Sequence, residues 1–254
     1  VHFHAGAAEA LAEVYLLEGR AQLEPGGRAF AQIRLRDPVL ILPGDRFILR
    51  QFSPVVTIGG GVVVDNLAEK HRSAENVTGR LGRLHRGSPE EVLEALLEGA
   101  ERGLGMSEII ARTGWLESEV ESAAGQLERE ERAARVAGAP LWLIDREHFR
   151  AAVGRVVRTL EAFHAQNPLA TGLPKELLRA QEFAAAPPAL LESLLERLRL
   201  EGKVAVEGET VRLAAHRIVL KEDEAQAREK IVAAFEQAGL AVPAEGEVLG
   251  KVAV

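Results

Sequence analysis

Along residues 46–50 the side chains alternate. Phe47 and Leu49, continued by Gln51, face one way, and Ile48 and Arg50 face the other, the period of a strand with one buried face. The preceding Pro43-Gly44-Asp45 offers a preset φ, a residue free to take positive φ, and a side chain able to hydrogen-bond the turn. Gly59-Gly60-Gly61 then separates Ile58 from the run Val62-Val63-Val64, which suits a bulge or a close backbone approach at the corner of a small barrel. A phosphate cradle fits less well, since phosphate-binding glycines lead into a helix and these lead into a β-branched strand.

From residue 88 the period becomes helical. Ser88-Pro89-Glu90-Glu91 is an N-cap, a proline at the first helical position and a glutamate placed for a capping box, followed by a stripe of Val92, Leu93, Leu96 and Leu97. The pattern predicts a second helix over 106–113 stopped by Gly114, a third over 117–130 with Val120, Ala124 and Leu127 inward, and a hairpin over 133–144. Three helices and a β-wing make the winged-helix order. It recurs with helices over 146–166, 174–180 and 187–201 and a hairpin over 202–213 turning at Glu207-Gly208-Glu209. The first of these carries Phe149, Val153, Val156, Val157, Leu160 and Phe163 on one side. A further helix over 222–238, with Ile231, Val232 and Phe235 inward, begins a third unit.

The segments PGGRAFAQIRLRDPV and RFILRQFSPVVTIGGG resemble the third domain of SelB, the selenocysteine-specific elongation factor family, and NPLATGLPKELLRA resembles that family's second winged-helix unit. Elongation factor Tu and its relatives share the barrel, but the Ser53-Pro54 step and the triple glycine match the selenocysteine branch better. The expected fold is therefore multidomain β + α, a small antiparallel β-barrel followed by tandem winged-helix domains. The boundaries are a barrel over 1–68, a basic linker over 69–86, winged-helix units over 87–145 and 146–216, and a partial third unit over 217–254.

The resemblance implies a C-terminal part of a factor that inserts selenocysteine at recoded UGA codons. Its partners would be selenocysteyl-tRNA, a selenoprotein mRNA hairpin and the ribosome, and it would act as a cytoplasmic monomer. In that family the third domain lies along the acceptor and T-stem backbone, a contact that reads shape. Local alignment puts Arg28, Gln32 and Gln51 at tRNA-facing positions and makes Arg50 either a fourth contact or an interdomain ion-pair partner. Each also has a plain reading as a solvated or edge residue.

Charge refines this picture. The net charge of -7 argues against nucleic acid, yet residues 69–86 hold 5 basic and 2 acidic side chains, whereas 87–145 hold 5 and 13. Lys70, Arg72, Arg80, Arg83 and Arg86 are candidate RNA phosphate contacts, and a solvated linker explains them equally well. The glutamates of ESEVESAAGQLERE would be repelled by DNA, which weighs against the rival reading as a tandem winged-helix DNA-binding or chromosome-associated protein.

No catalytic residue is expected. The sequence has no GxxxxGK[ST] loop, no GxSxG or HExxH, and no cysteine. GTP and magnesium belong to the family's nucleotide domain, so no cofactor is expected in this chain. His2 and His4 share a strand face, but no third ligand follows at a suitable spacing, so no metal site is expected. The lack of a signal peptide or an apolar run near 18 residues predicts a soluble intracellular protein with no membrane partner.

Overall fold

The computed structural model describes residues 1–17, 19–68, 77–137, 140–217 and 222–238. It begins with strands β1 (His2–Ala5), β2 (Ala8–Leu16), β3 (Ala31–Leu35), β4 (Arg46–Arg50) and β5 (Thr57–Val62). They pair antiparallel in the order β3-β2-β1-β4-β5 and curl into a half-barrel. The pleat sends Phe3, Ala5 and Ala12 inward, where Val1, Ile33, Leu35, Ile41, Phe47 and Leu49 pack on them. The turn forms as expected, with Gly44 at φ +93 and Leu42 N donating to Asp45 Oδ2 at 2.8 Å.

The triple glycine serves close approach. A Cβ on Gly60 would lie 2.6 Å from the Phe47 carbonyl oxygen, and one on Gly61 would lie 2.7 Å from Phe47 Cζ. The bulge itself falls one residue earlier. Leu49 pairs with Gly59 and Arg50 with Thr57, so Ile58 is the extra residue.

The next elements are α1 (Val77–Arg86), α2 (Pro89–Glu98), β6 (Leu104–Gly105), α3 (Met106–Thr113), α4 (Glu117–Arg129), β7 (Ala133–Arg135) and β8 (Trp142–Asp145). The second half of the expected linker is thus a helix: α1 buries Leu81 and packs against α2. Ser88 caps α2 in a complete capping box with Glu91, and Gly114, at φ 74, ends α3 in the left-handed conformation. Leu93, Leu96, Leu97, Ile109, Val120, Ala124, Leu127 and Leu143 form the core.

The second set comprises α5 (Arg146–Gln166), β9 (Leu173–Pro174), α6 (Lys175–Glu182), α7 (Pro188–Leu200), β10 (Val204–Glu207) and β11 (Thr210–Leu213). Leu190, Leu191, Leu194, Leu195 and Leu198, spaced along one helical face of α7, are all buried. On α5 the buried row is Ala152, Val156, Leu160 and His164, a strict four-residue repeat, while Phe149, Val153, Val157 and Phe163 flank it half-buried. Helix α8 (Glu222–Ala238) matches its expected bounds, but Val232 and Phe235, expected inward, are 45% and 39% exposed. By contacts the chain divides into two compact units, Val1–Ala152 with Ala185–Ser193 and Val153–Ala184 with Leu194–Val254. No helix among the described residues is long and apolar enough to cross a membrane.

Candidate nucleic-acid interface

Strand pairing assembles polar side chains on the outer face of the half-barrel. Gln32 lies across from Tyr15 and Arg34 across from Glu13, so the alternation of AQIRL on β3 meets that of AEVYL on β2. The Arg34 guanidinium lies over the Tyr15 ring, 4.3 Å from its centroid, and Tyr15 Oη donates to Glu13 Oε2 at 2.6 Å. That hydrogen bond to a carboxylate holds the Tyr15 phenol above its ordinary pKa. The result is an ordered cation beside an amide on an otherwise open face. Arg34 and Tyr15 were absent from the expected contacts, although the period of β3 places Arg34 on the same face as Gln32.

The other expected tRNA contacts lie elsewhere. Arg50 pairs across from His2, itself across from Leu11, so Gln32 is three strand spacings and four residues away, about 14 Å across the sheet and about 13 Å along it. Arg50 Nε is buried with no hydrogen-bond partner. Gln51 braces its own loop, donating from Nε2 to Ser53 O at 2.8 Å and from its backbone N to Val56 O at 2.9 Å. Arg28 is exposed in the loop before β3 and makes no ion pair among the described residues.

The connector arginines divide differently than expected. Arg80 Nε donates to the Ala95 carbonyl at 2.8 Å, with its guanidinium 3.6 Å from Asp65. Arg83 is held by both carboxylate oxygens of Glu98, one at 2.6 Å, and lies 3.7 Å from Glu94. Donating to the Glu98 carboxylate raises the Arg83 pKa further above its ordinary value. Both arginines are structural here, because their donors already meet acceptors on or beside α2. Arg86 ends α1 exposed and makes no ion pair among the described residues. Lys70 and Arg72 lie outside the described residues.

The helices that would enter a groove in a DNA-binding winged helix are poorly suited to it. On α4, Glu119 accepts from Leu116 N at 2.8 Å, and Glu121 and Glu128 both grip Arg135 of the wing, which leaves acidic side chains outward. On α7 the two arginines are taken up by Glu201 and Glu196. On α4 a single arginine without an ion pair among the described residues, Arg129, donates to Gln126 Oε1 at 2.6 Å and is outnumbered by glutamates, so neither helix offers the cluster of cations that phosphate contact requires.

Residues 1–70 match the family model described as the selenocysteine-specific elongation factor beta-barrel domain, and residues 157–213 match the winged helix of elongation factor SelB. Across 96% of its length the chain is 32% identical to a selenocysteine-specific elongation factor from Desulfomicrobium baculatum, of which it spans 38%. The chain belongs to the SelB family. A solved bacterial selenocysteine-specific elongation factor, EF-Sec, superposes on 98% of the chain with a TM-score of 0.61 at 13% identity, a likeness of fold that takes in 36% of that structure. The half-barrel and the winged-helix elements are thus those of a SelB protein, and the chain spans well under half the length of these relatives.

Proposed function

We propose that this chain is the portion of a selenocysteine-specific elongation factor that grips selenocysteyl-tRNA with its barrel and extends through winged helices toward a selenoprotein mRNA hairpin. The observation that carries this reading is the presence of both SelB-type domains, barrel first, in a chain aligned over nearly its whole length with a curated member. The stacked Tyr15–Arg34 pair beside Gln32 supports it chemically, since an ordered cation and an amide on a sheet face suit the phosphate and sugar of an RNA helix. The acidic surface of α4 and the ion-paired arginines of α7 favour a spacer role for the winged helices. On this reading GTP and magnesium are handled elsewhere in the factor, and the protein works on the ribosome in the cytoplasm as a monomer.

Fluorescence anisotropy with labelled selenocysteine tRNA tests it, with an elongator tRNA, an mRNA hairpin and duplex DNA as competitors over a range of salt. The expected result is selective, salt-dependent binding of selenocysteine tRNA. Selective binding of DNA, or equal weak binding of all four, would overturn it.

A further inference from the structure

The sequence shows two imidazoles on one face of β1 and no third ligand after them. Strand pairing supplies that ligand. Because β1 and β2 are joined by the short loop at Gly6, His4 stands directly across from Glu9, and His2 lies two residues along the same face. His2 Nδ1 is 2.8 Å from Glu9 Oε1, and His4 Nδ1 is 3.9 Å from Glu9 Oε2. One ligand atom from each of the three residues lies within 4.8 Å of the other two. We propose that His2, His4 and Glu9 form a binding site for a divalent transition-metal ion of the zinc class.

The donor set selects the ion. Two imidazole nitrogens and one carboxylate oxygen suit zinc or cobalt, whereas magnesium and calcium demand mostly oxygen ligands. Ligand atoms held at ~2.0–2.2 Å in a tetrahedral array stand roughly 3.3–3.6 Å apart, and the two observed separations bracket that range. Small side-chain rotations reconcile them.

The surroundings hold the imidazoles in place. Their side chains are 29% and 24% exposed, and the Phe52 ring packs edge-on against His2 with centroids 4.7 Å apart. Glu9 is 57% exposed, so the remaining coordination position opens to solvent, as in metal sites that exchange a ligand. Arg50 lies across from His2 on β4 and opposes a bare dication. Its charge favours an anionic fourth ligand such as phosphate or carboxylate.

The test uses the 254-residue chain, free of any histidine tag and stripped with a chelator. Cobalt(II) is added while its d–d absorption is followed, zinc is then used to displace it, and zinc binding is measured by calorimetry. The expected outcome is one ion per chain with a four-coordinate cobalt spectrum. Glu9→Gln, at an exposed position that leaves the fold intact, and His4→Ala should each weaken binding by about tenfold or more. His216→Ala, which removes a member of the other close imidazole pair, should leave the isotherm unchanged. Unaltered isotherms in the Glu9 and His4 variants, loss of binding in the His216 variant, or no saturable binding at millimolar metal would each overturn the proposal.

Discussion

The imidazole of His164 lies flat on that of His216, with ring centroids 3.7 Å apart and planes 15° from parallel. His164 is buried on the inner row of α5, and its Nε2 accepts from Leu213 N at 3.4 Å, which leaves the proton on Nδ1, a buried atom without a partner. Burial first, then the neighbouring His216 and Arg212, lowers the His164 pKa from its ordinary value of 6.5. The folded state therefore keeps His164 neutral over a range where the unfolded chain takes up a proton. Stability from this group is complete above about pH 6.5 and is lost as pH falls from there through the depressed folded value. Urea midpoints of the second unit should decline between pH 7 and pH 5, and His164→Leu should flatten that decline. A His164→Leu variant with the parental pH slope would assign the effect to other groups.

Glycine substitutions in β5 should differ sharply between neighbours. A methyl at Gly60 meets the Phe47 carbonyl, a backbone atom fixed by the β4–β5 ladder, whereas a methyl at Gly59 meets nothing within 4 Å. Neither residue has positive φ, so space alone separates them. Gly60→Ala should cost about 1–3 kcal/mol by overpacking, and Gly59→Ala should be neutral or slightly stabilising. Chemical denaturation of the two variants provides the comparison.

Glu94 sits between two arginines. Arg132 meets it through Nε at 2.6 Å and through a terminal nitrogen, and Arg83 approaches within 3.7 Å while gripping Glu98. Its side chain is only 18% exposed, so Glu94→Ala removes a half-buried carboxylate shared by two arginines and, among the described residues, leaves Arg132 with only Glu130 and Arg83 with only Glu98. That change should cost about 1–3 kcal/mol, and Glu98→Ala, at a more open position, under about 1 kcal/mol. Arg83→Ala should lower stability without altering RNA affinity. A matched loss of RNA affinity would return Arg83 to the phosphate contacts expected from its charge.

Where the chain carries a local stop or start signal, its structure was legible. Ser88 with Glu91, Gly114 and the turn at Gly208 each determine a boundary through backbone chemistry within a few residues. The helix from Val77 to Arg86 was hidden because Gly79, Gly82 and four basic side chains read as linker, and its stability comes from packing on α2. The stack of Arg34 on Tyr15 and the approach of Glu9 to His2 and His4 depend on strand register, which one chain's periodicity leaves open. Val232 and Phe235 show the converse: an amphipathic period marks the apolar face of a helix without supplying what covers it.

Arg34 and Tyr15 allow charge and order to be separated in tRNA binding. If Arg34 meets an RNA phosphate, Arg34→Ala should weaken selenocysteine tRNA several-fold and reduce the slope of log affinity against log salt by about one. Tyr15→Leu removes the ring beneath the guanidinium while keeping its charge, so affinity should fall through lost ordering with the slope unchanged. Arg28→Ala should act as Arg34→Ala does, since Arg28 is exposed and has no ion-pair partner among the described residues. Arg80→Ala, whose guanidinium is engaged with Ala95 and Asp65, should leave the slope untouched. Anisotropy titrations of the four variants at several salt concentrations distinguish these outcomes. An unchanged slope in Arg34→Ala would place the tRNA backbone away from the β2–β3 face.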